Sequence, residues 1–276
     1  MRPNKGADIS DDFFIDDATR IVRLSEEHGT VLRLIGALAV RIHSPQFASL
    51  HRQLGRLGGT RSFSDVDFLA YSRQRGKVRE LFERVMRYQP DNYIIALFGN
   101  SRLVYYHPED LYHVDIFFDK LEFSHDIIFG SEPSSGRLEL DYPTISLADM
   151  FLEKIQIHEI EEKDMKDIFV LLRAHEIGDE DEKELLNARH IAQVLANDWG
   201  FWYEARLNIG KFRVFAQNCC SRNKVSTEDY GNVLSKIDAI SMYMDEEPKT
   251  GKWQKRAKHG AQKPWWRVVE ELTRGT

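Results

Sequence analysis

The spacing of apolar and polar positions divides the chain into two parts. Up to about residue 145, short apolar runs alternate with polar turns; from residue 146, apolar residues recur every three or four positions. The spacing predicts a first helix over residues 17–28, capped by Asp16 or Asp17 and ended at Gly29. The run TVLRLIG (30–36) is β-branched and apolar between glycines, which predicts a buried strand. ALAVRIH predicts a helix that breaks near Ser44, ahead of Pro45. RLGGTRSFS reads as a loop and DVDFLAY (65–71) as a strand. Val78, Leu81, Phe82, Val85 and Met86 share one face of a helix ending near Gln89-Pro90. NYIIALFGNSRLVYYH predicts two strands around a Gly99-Asn100 turn. A further strand is expected over 112–118, then two short extended pieces, DIIFG and RLELD.

In the second part, SLAD (146–149) is a capping box with Ser146 as cap, and its helix should run through MFLEKIQIHEI. KDMKDIFVLLRAHEI predicts a helix ending at Gly178. DEDEKELLNARHIAQVLANDWG and FWYEARLNIGKFRVFAQNCC predict two more, and STED (226–229) opens a last one reaching about Met244. No internal repeat is visible. The expected plan is α+β: a mixed domain over 1–145, then an all-helical domain over 146–276 with a basic, tryptophan-bearing tail.

Composition narrows the function classes. With 42% hydrophobic and 30% charged residues in 276, the chain should fold as a soluble globular protein. A net charge of -6 supplies no global basic field, so a large nucleic acid would need a local patch. The tail from Lys249 to Arg267, with Trp253, Trp265 and Trp266, is the one such patch; docking of those rings on the helical half is the competing and favoured reading. Cys219 and Cys220 are adjacent and cannot staple the fold, which points to a reducing, cytoplasmic setting. MRPNKGADISDD lacks the apolar core of a signal peptide, and no apolar run is long enough for a membrane span. Zinc-protease, P-loop and nucleophile-elbow motifs are missing, and only one strand–helix unit precedes Asp65, against a sugar-nucleotide glycosyltransferase.

The chemistry gathers on RSFSDVDFLAY. Side chains alternate along a strand, so Asp65 and Asp67 point to one face with Cβ atoms about 6–7 Å apart. That spacing lets both carboxylates grip one divalent cation, and two such ions can clamp the attacking and leaving oxygens of a phosphoryl transfer. A D-x-D pair alone is more often a turn cap with a solvent-facing neighbour. Three further features add weight. Gly36 stands between a buried strand and a helix start, where backbone N–H groups are free for an anion. Arg61, Ser62 and Ser64 precede the aspartates. Downstream, Lys154 could balance phosphate charge, and Asp164 and Asp167 share one helix face. For a third carboxylate, Asp115 in HVDIFF is the best placed; Asp119 and Asp126 lie at or beyond that strand's end.

The order LIGALAV…RSFSDVDFLAY…HVDIFF…LADMFLEKIQI…KDMKDIFVLL resembles the nucleotidyltransferase-fold superfamily, the DNA polymerase β-like fold, and within it the AbiEii-like group of abortive-infection toxins. The likeness covers roughly residues 30 to 173, with Gly36-Ala37, then Arg61, Ser64, Asp65 and Asp67, then Asp115, then Lys154 and Lys163-Asp164-Met165-Lys166-Asp167 in the motif positions. It implies a mixed sheet flanked by helices, a nucleoside triphosphate donor, Mg²⁺ as two ions with Mn²⁺ as substitute, and transfer of a nucleoside monophosphate to a hydroxyl of RNA, protein or a small molecule. Asp65, Asp67 and Asp115 would be metal ligands and catalytic residues. Gly36, Ala37, Arg61, Ser64 and Lys154 would bind the phosphates, and Asp167 would serve as base or structural anchor. It also implies a toxin–antitoxin or phage-defence role with a cognate antitoxin. Ala37 departs from the Gly-Ser or Gly-Gly of that pattern. That departure favours the alternative, a catalytically silent binding or regulatory protein on the same fold.

Overall fold

The computed structural model describes residues 9–57 and 62–268. Helix α1 (Asp11–Glu27) begins well before the expected residue 17 because Ser10 is its cap: Ser10 Oγ accepts the Phe13 N–H, and Asp11 and Asp12 fill the first turn. Strand β1 (Leu32–Leu34) leads straight into α2 (Gly36–His43), which stops at Ser44 ahead of Pro45 as the proline dictates. Helix α3 (Ala48–Leu54), strand β2 (Val66–Ala70) and helix α4 (Arg75–Glu80) follow, and a π-helical turn continues α4 over Leu81–Val85.

After the short strand β3 (Gln89–Pro90), the structure corrects the expectation of a hairpin. Asn92–Phe98 is a helix, α5, because Asp91 Oδ1 accepts the N–H groups of Tyr93 and Ile94, 3.2 Å each. The local cap outweighs the strand preference of Tyr-Ile-Ile. Strands β4 (Arg102–Tyr106), β5 (His113–Phe118), β6 (Lys120–Glu122) and β7 (Asp126–Ile128) come next. RLELD is a turn rather than a strand: the Leu140 N–H folds back to the Arg137 carbonyl, and the Arg137 guanidinium is anchored on Asp149.

The main sheet has the order β1-β2-β5-β4-β3. Only β2 and β5 are parallel; the other pairs are antiparallel, so the sheet is mixed. The parallel pair requires a long crossover, supplied by α4, β3, α5 and β4. Its register sets Asp67 directly beside Asp115.

The second half contains α6 (Leu147–Ile155), α7 (Glu162–Ala174), α8 (Ala188–Asn197), α9 (Trp199–Ser221), α10 (Thr227–Glu246) and α11 (Gly251–Ala257). Ser146 caps α6 as its box predicts. Three expectations are corrected here. The half is not all helical, because β8 (Glu176–Gly178) and β9 (Leu185–Asn187) form a parallel pair. The helix expected from residue 179 starts only at Ala188, where Asn187 Oδ1 accepts the His190 N–H at 2.9 Å. Helix α6 stops at Ile155 because Asn208 Nδ2 donates to the carbonyls of Ile155 and Ile157, at 3.0 and 2.7 Å, and so takes the carbonyls at its end.

One continuous apolar core joins the halves: Phe68, Val114 and Ile116 of the sheet belong to the same buried cluster as Leu152, Phe169 and Phe212. The tail folds back onto this body. Trp265 Nε1 donates to Glu204 Oε2 at 2.7 Å, Trp266 stacks on His158 with ring centres 3.7 Å apart, and Trp253 packs edge-on against Trp202. These rings dock on the helical half. Among the described residues no helix is long and apolar enough to cross a membrane.

Replacing the cap that decides α5 tests its assignment. Asp91→Ala should lower unfolding stability by about 1–2 kcal/mol in urea denaturation and reduce far-ultraviolet helical signal. An unchanged midpoint would count against the capped helix.

Candidate functional site

The site lies where β1 ends and β2 and β5 begin. Antiparallel β1 delivers Gly36 beside the start of β2, and Ile35 N–H bonds Asp67 O at 3.0 Å. Parallel β5 brings Asp115 alongside Asp67. Helices α6 and α7 close the far wall. The resulting cavity of about 650 Å³ is lined by Gly36, Ala37, Ser64, Asp65, Asp67, Asp115 and Lys154, all expected at the site. Arg56, Arg102, His113, Glu153, Lys163 and Asp164 also face it, with Phe63, Phe117 and Phe123 as apolar wall. Arg61 lies outside the described residues.

The three carboxylates are not equally satisfied. Asp65 accepts a bond from Ser64 Oγ at 3.1 Å. Asp115 Oδ1 accepts from Arg102 Nε at 2.7 Å. His113, two residues before Asp115 and on the same strand face, holds Nε2 3.7 Å from both Asp65 Oδ2 and Asp115 Oδ2. The half-buried Asp67 carboxylate has neither an ion pair nor a hydrogen bond among the described residues. Burial pushes its pKa well above the usual carboxylate range, and the neighbouring charges of Asp65, Asp115 and Glu153 push it further.

Asp167 is the opposite case. It lies behind the cavity wall, fully buried, with His51 Nε2 at 2.9 Å, Arg56 Nε at 3.1 Å and Lys154 Nζ at 3.2 Å. Burial alone would raise its pKa; Lys154, Arg56 and His51 overcome that and hold it far below the ordinary value. Lys154 in turn touches Asp164 and Glu153, 3.6 Å each. Its burial would favour the neutral amine, but the three carboxylates keep it charged. Asp167 therefore orients Lys154 and Arg56 rather than facing a ligand.

The helix start at Gly36 also differs from expectation. Gly36 has φ +75°, a conformation suited to glycine, and a Cβ there would sit 3.4 Å from Asp67 Oδ2. Its N–H, expected to face phosphate, donates to Glu153 Oε2 at 3.0 Å. Glu153, Arg102, His113, Arg56 and His51 were not singled out by sequence reasoning. His113 was legible from strand alternation with Asp115, and Glu153 from its place beside Lys154; the other three depend on tertiary contacts.

The donor chemistry suits a hard divalent cation: all-oxygen carboxylates, one of them desolvated and uncompensated. Among the described residues, no group of three or more His, Cys, Asp or Glu is already drawn together into a metal cage. Comparison with family models, with curated proteins and with solved structures returned no match.

The two aspartates should respond oppositely to loss of charge in metal-free buffer. Asp67 takes up a proton more readily folded than unfolded, so the folded state loses stability as pH rises above the ordinary carboxylate value. Asp67→Asn should therefore raise the urea midpoint at pH 7 and flatten its pH dependence. Asp167 is held ionised by folding, so its contribution is present above the ordinary value and fades on acidification. Asp167→Asn should cost about 3–5 kcal/mol at pH 7. A destabilised Asp67→Asn protein would show that Asp67 is a structural partner instead.

Proposed function

We propose that the protein is a divalent-metal-dependent nucleotidyltransferase of the DNA polymerase β-like type, moving a nucleoside monophosphate from a triphosphate to an acceptor hydroxyl. The observation that carries this reading is Asp67: a desolvated carboxylate with no partner, in register with Asp115 and flanked by Asp65, facing a cavity. Without a cation such a carboxylate sheds its charge by taking up a proton; a bound cation would let it stay ionised.

Asp65, Asp67 and Asp115 would hold the ion, Mg²⁺ or Mn²⁺. When bound it supplies the charge that offsets a triphosphate and polarises the reacting phosphate. The chain's own residues do the rest. Lys154 and Lys163 face the cavity from the helical side and present positive charge to the phosphates. Ser64, held on Asp65, offers a hydroxyl at the rim. Phe117 and Phe123 give apolar faces on which a base can rest. In the transfer, the acceptor oxygen bonds to the α-phosphorus as the bond to the β-phosphate oxygen breaks. Pyrophosphate leaves with that electron pair, and the hydroxyl proton passes to the carboxylate cluster.

A silent, nucleotide-free relative on the same fold is the second reading. It draws on Glu153, whose carboxylate occupies the Gly36 N–H where a phosphate would sit. A toxin-type role and a cognate antitoxin partner belong to the first reading as proposals and follow from the resemblance alone.

Incubation with each α-³²P-labelled ribonucleoside triphosphate, Mg²⁺ and cell extract should transfer label to RNA, protein or a small-molecule fraction. Asp67→Ala should reduce incorporation by at least about a hundredfold. Equal labelling by wild type and Asp67→Ala, or no triphosphate binding with or without Mg²⁺, would rule out the transferase reading.

A further inference from the structure

We infer, building on the nucleotidyltransferase reading, that Arg102 is an exchange residue: it guards Asp115 when the site is empty and moves to the nucleotide phosphates when Asp115 is needed as a metal ligand. Arg102 lies on β4 and reaches diagonally across to Asp115 on β5, two positions from its own register partner Phe117. Its Nε donates to Asp115 Oδ1 at 2.7 Å, and this is its one ion pair among the described residues.

Three observations point to exchange rather than a fixed strut. First, the contact is made through Nε alone. Both terminal guanidinium nitrogens are without a hydrogen bond among the described residues, and the side chain lines the cavity, so four N–H donors remain for a ligand. Such a fork matches phosphate oxygens. Second, the guanidinium rests over Phe117, 5.2 Å from the ring centre, on a wall of the same cavity. That face supports the group on either partner. Third, Arg102 meets only one of three adjacent carboxylates. Asp167, by contrast, is clamped by His51, Arg56 and Lys154 from three elements. The builder of a permanent charge cluster is visible in this fold, and Arg102 is not arranged that way.

The exchange has a thermodynamic consequence. Arg102 and a divalent ion compete for Asp115, so the ion binds weakly until a phosphate draws Arg102 away. Metal and nucleotide then favour each other's binding, by the same factor in both directions. This restrains occupation of the site by metal alone.

The test is Mn²⁺ titration followed by electron paramagnetic resonance, on wild type and Arg102→Met, whose side chain still covers Phe117. Each is measured alone and with the α,β-methylene analogues of the four ribonucleoside triphosphates. Without nucleotide, Arg102→Met should bind Mn²⁺ about tenfold more tightly, the worth of one charge-assisted hydrogen bond. With a saturating analogue the gain should vanish, because Arg102 has then already left Asp115 in the wild type. Analogue affinity at saturating Mn²⁺ should fall by about tenfold in the variant. Arg102→Lys, which keeps charge but loses the fork, should shift both quantities the same way by less, and carries the test if the methionine variant unfolds. Equal gains with and without nucleotide would reduce Arg102 to a background charge and overturn the exchange. So would unchanged Mn²⁺ affinity, with the transferase reading left standing. If neither protein binds Mn²⁺, or Asp67→Ala binds it equally well, the transferase reading falls and the exchange with it.

Discussion

Buried charge is the constraint on which this molecule turns. Six carboxylates lie around one cavity or just behind it, and taking a carboxylate fully from water costs several kcal/mol unless a partner offsets it. Behind the wall the debt is settled inside the chain. Asp167 has an imidazole, a guanidinium and an ammonium within hydrogen-bonding reach, and Lys154 has three carboxylates. In front of the wall it is left open at Asp67. The contrast between the two aspartates needs no motif: the same residue type, fully buried and compensated at Asp167, half-buried and uncompensated at Asp67.

The topology makes the contrast unavoidable. A parallel β2–β5 pair in register puts two strand-start aspartates side by side, where an antiparallel pairing would run the two chains in opposite directions past each other. The turn into α2 then lays Gly36 against the Asp67 carboxylate, at a φ of +75° that side chains larger than hydrogen rarely adopt. Helix α6 fixes the opposite wall, and its apolar face locks into the core through Phe151, Leu152 and Ile155. Glu153 and Lys154 are thereby carried inward by a helix that has no exposed face of its own. The segment between α2 and β2 supplies His51 and Arg56 as well, so it is part of the scaffold of the charge cluster.

Much of this was legible. Strand alternation in DVDFLAY put Asp65 and Asp67 on one face, the apolar surroundings of Asp115 singled it out, and all three line the cavity; the box at Ser146 located α6. What was lost had two causes. Local caps decided cases where propensity pointed elsewhere: Asp91 turned an apolar β-like run into α5, and Asn187 delayed α8. Long-range partners were invisible for a different reason. Arg102 stands thirteen residues before Asp115 in sequence, and only the β4–β5 register brings it onto that carboxylate. Single-sequence periodicity reports which face a residue occupies, not which strand will lie beside it.

The replacement of a hydroxyl residue by Ala37 weighs less once the helix start is seen whole. A serine there would matter if the N-terminus of α2 were open to phosphate, but its first N–H is bonded to Glu153, whose own carboxylate is driven towards the neutral form by burial. Under the proposed function, phosphate contacts would fall to side chains that enter the cavity from elsewhere, with Lys154 and Lys163 on the helical wall and Arg102 on the sheet. The cavity carries carboxylates together with two lysines and two arginines, and a metal–triphosphate complex of the kind proposed would meet both signs of charge.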